Sequence, residues 1–544
     1  MKHTPHLFYL IAGLCTSYSC NSKQAANKEE VSKKPNIIII MADDMGYSDI
    51  GCFGSEIATP NLDKMAVEGL RMTRFYNASR CCPSRASFLT GQYPHAAGMG
   101  GMTDSHIDIP SYQGYLNNNC VTIANVLKSA GYSTFTSGKW HVGHAREHWP
   151  HNYGFDRIFS SIKGAGSYFD GKPYRNSDWP WSDPEIIYVR DSNRIEYPEG
   201  EYLTDLITEN AVKYIEESKD NPFFLYMAYT APHWPLHALP EDIAKYEGKY
   251  MIGWDSLRKQ RYQKQLELGV IHDQYDMSKR DERVKAWDSL TAEEKTDMDR
   301  RMAVYAAMID RMDQGIGKVI TQLEASGKMD NTIIFFLSDN GGASALHVGY
   351  LHERFDPDAP IGSPQSFEGY GRGWANVSNT PFREGKATAH EGGISTPFIA
   401  WYPGRIKAGK IDHQPAHIVD FMATCVDLAG AEYPEQKEGV SILPMEGVSL
   451  LPLFNDEKIE RKKPLYTEHF ANLGIQKDNW KLVKLRNEPW ELFDMENDRT
   501  ETNNLINSAE PGVIKSLLED FRTWETRVGV FPQDIVDSRT KLKD

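Results

Sequence analysis

Cysteine is scarce in this chain and badly placed for cross-linking. Seven occur in 544 residues: Cys15 and Cys20 near the start, the adjacent Cys81 and Cys82, and the scattered Cys52, Cys120 and Cys425. No even, spaced framework of the disulfide-scaffold kind results, so the fold must stand on its core. Positive charge is also in deficit, with 60 Lys and Arg against 75 Asp and Glu and a formal net charge of -15. That balance argues against nucleic acid and suits a secreted or periplasmic protein. It also repels anions at long range, so an anion site has to be made attractive locally by Lys, Arg and a metal. No segment beyond the leader reaches the ~18 uninterrupted apolar residues of a membrane span. Internal repeats are absent.

What remains is ordinary globular composition, 40% hydrophobic and 25% charged, on a chain long enough for one large α/β unit with an appendage. The N-terminus reads Met1-Lys2-His3, an apolar stretch from Leu7 to Cys15, then small and polar residues to Cys20. This is the tripartite pattern of a secretory signal over 1–20. After Ser17-Tyr18-Ser19, Cys20 resembles a relaxed bacterial lipoprotein site, with 21–34 as a polar tether; the alternative is cleavage with no lipid. The expected location is therefore outside the cytoplasm, periplasmic or anchored to the outer membrane, with contact to the membrane only through that lipid.

Several apolar runs end in polar clusters. Asn36 to Met41 reads as a strand buried on both faces and runs into Ala42-Asp43-Asp44. Tyr132 to Thr136 leads into Gly138-Lys139-Trp140-His141, Phe223 to Ala228 into Ala231-Pro232-His233, and Thr332 to Leu337 into Ser338-Asp339-Asn340-Gly341-Gly342. Helices are expected over Thr59-Pro60 to Gly69, Ile123 to Ala130 and about Arg301 to Ser326. This alternation predicts an α/β fold, a large, mainly parallel mixed sheet sandwiched by helices. In such sheets ligands bind at the carboxyl edge, and four strands each deliver a cluster there. Leu239 to about Asp297 reads as a charged helical excursion with a solvated face. Beyond Gly439 short alternating strands, including Trp480 to Val483 and Trp490 to Asp494, precede an amphipathic helix around Val513 to Val528. The expected division is a main domain over 35–438 and a smaller antiparallel α+β subdomain over 439–544.

Asp43, Asp44, Asp339 and Asn340 form a hard, all-oxygen set that suits Ca²⁺ or Mg²⁺ rather than Zn²⁺. Asp-Asp after a strand is often only a cap or turn, but a second strand ending in Ser-Asp-Asn-Gly-Gly makes the pair a metal motif. Cys81-Cys82-Pro83-Ser84-Arg85, followed by Leu89-Thr90-Gly91, is more specific still. On its own it could be a Pro-initiated helix with a buried Cys. Its C-x-P-S-R-x-x-x-L-T-G spacing, however, is that of the sulfatase signature, and from Asn36 to roughly Val528 the chain resembles a type I sulfatase of the alkaline phosphatase superfamily. Glu56 to Asp63 and Tyr305 to Met308 resemble the bacterial arylsulfatase branch in particular.

The resemblance implies that Cys81 is oxidised to formylglycine (3-oxoalanine) by a formylglycine-generating or anaerobic sulfatase-maturating enzyme. It implies one divalent cation, usually calcium, on Asp43, Asp44, Asp339 and Asn340. The hydrated formylglycine would attack sulfur, form a covalent sulfoenzyme and release sulfate by re-forming the aldehyde. Arg85 would brace position 81, and Lys139 would hold sulfate and diol oxygens. His141 would be the base for sulfate release, and His233 and Lys386 would contact the leaving oxygen. Cys82 would be a spectator and His144, His148 and His151 structural, while His237 and His390 are flagged as pocket residues. Thr388-Ala389-His390 departs from the family pattern in a region near the substrate.

The substrate expected is a sulfated glycan or aryl sulfate, with exo action on a terminal O-sulfated galactose or N-acetylglucosamine and with Asp178-Trp179-Pro180-Trp181 offering rings to a sugar. Two other readings stay open. One is a phosphate or phosphonate monoester hydrolase of the same superfamily, although two-zinc phosphatases need extra ligands where Lys139 and Lys386 stand. The other is a glycan-binding lipoprotein without catalysis.

Overall fold

Asn36–Ala42 (β1) is buried along its whole length, and its side chains alternate between two cores. Ile38, Ile40 and Ala42 enter one apolar cluster, Ile37, Ile39 and Met41 the other. A strand apolar on both sides belongs in the middle of a sheet covered on both faces, and in this computed structural model β1 lies there. Residues 1, 3–4, 34–105, 107–164, 166–173, 185–219, 221–347 and 354–541 are described. The rest of the leader with Cys20, 21–33 of the tether and Asp178-Trp179-Pro180-Trp181 lie outside them.

The strands flanking β1 and completing the sheet are Leu70–Met72 (β2), Ser133–Lys139 (β3), Arg157–Ser161 (β4), Tyr188–Arg190 (β5), Asn193–Ile195 (β6), Phe223–Ala228 (β7), Thr332–Ser338 (β8), Phe398–Trp401 (β9) and Lys410–Asp412 (β10). Their order is β10-β2-β9-β8-β1-β7-β3-β4-β5-β6. The five central strands, β8-β1-β7-β3-β4, all run parallel. Antiparallel pairs appear only toward the edges.

Register then sets the site. Ala42 pairs with Ser338, Met41 with Ala228, and Gly138 with Ala228, so four strands end almost flush. Residues 43, 339 and 139 therefore emerge side by side. Gly138 has φ +120°, and a Cβ there would meet the Ala228 carbonyl oxygen at 2.0 Å. No other residue fits between these strand ends.

Helices cover both faces. Pro60–Glu68, Leu203–Glu217, Trp254–Glu267 and Ala292–Ala325 contribute to one core, and Cys81–Thr90 (α1), Ile123–Ser129 and Asp420–Ala429 to the other. The long helix begins at Ala292, well before the expected Arg301. A capping box, Thr291 with Glu294, starts it there, and its continuous buried apolar face begins only at Met302. Strand β3 likewise runs on to Lys139, because its ladder with β4 continues past Thr136. The excursion over 239–297 is not simply a solvated face. Arg258, Arg261 and Gln265 are buried, and Trp254 packs on Trp287 and Trp374.

A second, antiparallel sheet follows: Leu465–His469, Asn472–Lys477, Trp480–Lys484 and Glu491–Asp494, in chain order. Pro511–Val528 covers it with Leu517, Phe521, Trp524 and Val528 against Tyr466, Ile475, Leu482 and Leu492. Among the described residues no helix is long and apolar enough to cross a membrane.

Candidate active site

Asp43 and Asp44 leave the end of β1, and Asp44 takes a left-handed backbone (φ 64°) that turns the pair across the sheet edge. The Asp44 amide donates to Asp339 Oδ1 at 3.3 Å, joining the ends of β1 and β8. Arg85, on α1, donates from Nε and Nη2 to Asp339 Oδ2 at 3.0 and 2.7 Å, and from Nη1 to the Lys139 carbonyl and the Tyr226 hydroxyl at 3.2 and 3.3 Å. Lys139 Nζ donates to Asp43 Oδ2 at 2.5 Å. Lys386 donates to Asp44 Oδ1, which also accepts from Asn340 Nδ2 at 2.8 Å. His233 Nε2 lies 3.5 Å from Asp44 Oδ2. The four metal candidates and Arg85, Lys139, His233 and Lys386 thus form one connected cluster, buried except at the partly exposed Lys386.

Cys81 is the first residue of α1, with Arg80 as an extended N-cap, and is buried. A hydrogen bond from Cys82 and the nearby charges of Lys139, Lys386 and His141 hold its thiol well below the usual range, against the effect of burial. Cys82 is pushed well up by burial and by that same bond. The structure thus gives Cys82 a direct contact with the residue it neighbours in sequence.

Burial works against every charge here, and the partners decide the outcome. It raises the Asp43 carboxyl, but Lys139, His233 and Arg85 bring it down to about 2. It lowers Lys139 and Lys386, and Asp43 and Asp44 respectively more than restore them. For His233 burial wins and takes the imidazole to about 4; His141 is also pulled down by burial.

Three acceptors in the cluster have no hydrogen-bond partner although fully buried: Asp43 Oδ1, Asp44 Oδ2 and Asn340 Oδ1. Each such atom costs about 1–3 kcal/mol unless satisfied. Asp43, Asp44 and His233 bring ligating atoms within 4.8 Å of one another. An oxygen-rich pocket of this kind fits a hard divalent cation. His233 at its border is an addition to the all-oxygen expectation.

Two flagged residues do not join the cluster. His237 is locked by Nε2 to the Ser366 carbonyl at 3.0 Å, and Tyr168 N–H donates to its Nδ1 at 3.3 Å. His390 binds Glu491 at 2.8 Å, in the second sheet. Flagged in the sequence as pocket residues, both turn their polar atoms instead to backbone groups or to the second sheet.

Other residues support the site unannounced by any motif spacing. Asp49 Oδ2 accepts from the Gly46 amide at 2.9 Å and the Tyr305 hydroxyl at 2.8 Å, and Arg261 Nη1 donates to Asp49 Oδ1 at 2.7 Å while its Nε reaches Glu56 at 2.8 Å. This pins the loop after Asp44. On the far side, a Cβ at Gly341 would meet the Gly392 carbonyl at 1.8 Å. Neighbouring Glu391 accepts from Lys481 at 2.8 Å and Arg499 at 3.1 Å. Arg261 and Arg499 carried no signal in the sequence.

Known proteins align with this arrangement. A sulfatase family model matches residues 35–431, and a model described as N-sulphoglucosamine sulphohydrolase, C-terminal, matches 385–525. An uncharacterized sulfatase of Schizosaccharomyces pombe is 35% identical over 551 residues, covering 95% of this chain and 98% of the relative. An arylsulfatase of Klebsiella aerogenes is 37% identical over 431 residues, covering 77% and 91%. The crystal structure of Ps i-CgsB in complex with k-i-k-neocarrahexaose superposes with a TM-score of 0.66 at 27% identity, over 92% of this chain and 94% of that one. With the carboxyl-edge cluster, the ten-stranded mixed sheet and the match over most of its length, the chain belongs to the sulfatase family and is a type I sulfatase of the alkaline phosphatase superfamily.

Proposed function

We propose that this sulfatase releases inorganic sulfate from a terminal O-sulfated sugar, with formylglycine made from Cys81 as its nucleophile and Ca²⁺ on Asp43, Asp44, Asp339 and Asn340. The observation that carries the reading is the balance of buried charge. Counted as formal charges, Asp43, Asp44 and Asp339 oppose Arg85, Lys139 and Lys386, three against three, and three acceptor atoms are left over. A divalent cation on those acceptors would leave the pocket two charges positive, which suits a sulfate group in a chain that is otherwise strongly acidic.

When bound, the cation would withdraw electron density from the oxygen at position 81 and favour its deprotonated form. Oxidation of Cys81 would supply that oxygen in place of sulfur. Lys139 and Lys386, fully charged beside their carboxylates, can turn donors toward sulfate oxygens as the cation takes over Asp43 and Asp44. His233 donates from Nδ1 to the Trp234 carbonyl, so Nε2 is the atom that can hold and pass a proton at the leaving oxygen. His141, held neutral by burial beside Cys81, is the base for the hydroxyl of position 81. Arg85, tied to both Asp339 and the end of β3, keeps α1 and the strand ends in one geometry.

The carbohydrate reading is supported by the oligosaccharide named with the neighbouring solved structure. It includes export with a signal over 1–20, lipidation at Cys20, a catalytic domain over 35–438 and a subdomain over 439–544. It also requires a maturating enzyme acting on Cys81. The test is to produce the protein with such an enzyme, measure the mass of the peptide containing position 81, and assay sulfate release from 3-O- and 6-O-sulfated galactose and N-acetylglucosamine beside matched aryl sulfate and aryl phosphate. An unmodified thiol in active protein, or preference for phosphate, would overturn the proposal.

A further inference from the structure

The sulfur atoms of Cys81 and Cys82 and a ring nitrogen of His141 all lie within 4.8 Å of one another. All three residues are more than nine-tenths buried. His141 Nδ1 is a buried polar atom with no hydrogen-bond partner. Its ring is confined, since its own backbone is left-handed (φ 59°) and anchored through N–H to the Ile162 carbonyl at 3.1 Å. On the other side, a Cβ at Gly164 would come within 2.7 Å of the imidazole. Two thiols and a fixed imidazole, at the N-terminus of a ten-residue helix with no acidic residue in its first turn, form a donor set unlike the oxygen cluster beside it.

We propose that the chain in which Cys81 is still a thiol carries a separate Zn²⁺ site made by Cys81, Cys82 and His141. Two thiolates and one imidazole with an open fourth position are an established zinc donor set, and Zn–S near 2.3 Å in a tetrahedral arrangement puts paired sulfurs about 3.8 Å apart. The three donor atoms, all within 4.8 Å of one another, are close enough to share one ion of that size. Sulfur and nitrogen donors favour Zn²⁺ over Ca²⁺, whereas the neighbouring oxygens favour the reverse, so the two ions need not compete. Binding forms two Zn–S bonds and one Zn–N bond and releases the protons of the thiols.

The site is tied to one chemical state of the protein. Once Cys81 has lost its sulfur only one thiol remains, and the donor set is broken. Zn²⁺ would therefore cap the residue awaiting conversion and leave the matured protein untouched. This follows from the unmodified side chains alone and stands whether or not the proposed substrate is right.

The experiment uses the full chain made without any maturating enzyme, stripped of metal and then given excess Ca²⁺ to fill the oxygen site. Titration with Co²⁺ as a spectroscopic probe should give one equivalent of a thiolate-to-cobalt charge-transfer band, which Zn²⁺ displaces. Cys82→Ser and His141→Ala should each weaken Zn²⁺ binding at least tenfold against a chromophoric chelator, and Cys120→Ser should not. Near-ultraviolet circular dichroism checks that each variant is folded. The matured protein should show no such band. A folded wild-type chain without the band, a Cys81–Cys82 disulfide by mass, unchanged affinity in both folded variants, or an equal band after maturation would each overturn the proposal.

Discussion

Lys139 Nζ and Asp43 Oδ2 lie 2.5 Å apart with both side chains fully buried, one at the end of β3 and the other at the end of β1. Neither charge can be satisfied by water, so each depends on the other. Lys139→Ala leaves Asp43 beside Asp44 and Asp339 with one fewer positive neighbour. Breaking a buried pair in this way costs about 3–5 kcal/mol. The expected result is a clear fall in the melting temperature without added metal, with part of it recovered by Ca²⁺. Equal losses with and without Ca²⁺ would show that the carboxylates do not meet a cation.

Asn340 contributes one of the three unpartnered acceptors and holds Asp44 through its amide group. A ligand at a hundred times its dissociation constant stabilises a fold by about 2.7 kcal/mol. Denaturation of wild-type protein with and without saturating Ca²⁺ should show a shift of that order. In Asn340→Ala the Ca²⁺ concentration needed for the same shift should rise at least tenfold.

Cys81→Ala tests the nucleophile with little structural cost, because it shortens one small buried side chain at a helix start. Sulfate release should fall by at least about a thousandfold, the scale expected when a covalent nucleophile is lost. The melting temperature should change by only a few degrees. A variant retaining a tenth of the wild-type rate would place the nucleophile elsewhere.

Glu491 ties the second sheet to the loop before Glu391, accepting from His390 at 2.8 Å and from Arg383 at 2.9 Å. Burial raises its carboxyl, but these two partners lower it from 4.5 to about 2. The folded pKa is depressed, so between those values the unfolded chain binds more protons and stability rises with pH. The contribution is whole above about 4.5 and is lost as pH falls toward 2. Because the carboxyl is partly exposed, on the order of 2 kcal/mol is expected. Urea denaturation at pH 6 and pH 3 should show a smaller difference in Glu491→Gln than in wild type.

Much of this was legible from local pattern. The strand ends at Asp43, Lys139, His233 and Asp339 could be read because an apolar run followed by a polar cluster is a short-range signal, and the flush register of a parallel sheet converts it into proximity. The fold class followed from the same alternation. Pairings distant in sequence were not legible. Arg261 looked like one more charge on a solvated helix, yet it is buried on Asp49 and Glu56, more than two hundred residues away. His237 and His390 carried the residue type of a catalytic group, but their partners, Ser366 and Glu491, lie far along the chain and settle what each ring does. The early start of the long helix was written in Thr291 and Glu294, a capping signal that outranked its apolar period.

Gly341 and Gly392 pack backbone to backbone, and Glu391 beside them is neutralised by Lys481 and Arg499. The order in which a chain emerges gives that contact a temporal meaning. Asp43 and Asp44 are made early, but in the loop that steadies Asp339 and Asn340 the buried Glu391 takes its ion-pair partners from Lys481 and Arg499, 90 and 108 residues further along the chain. Until those residues have been synthesised, the loop beside Asp339 and Asn340 lacks its ion-pair partners. Position 81 thus precedes by 400 residues or more, in order of synthesis, the two side chains that answer the charge of Glu391.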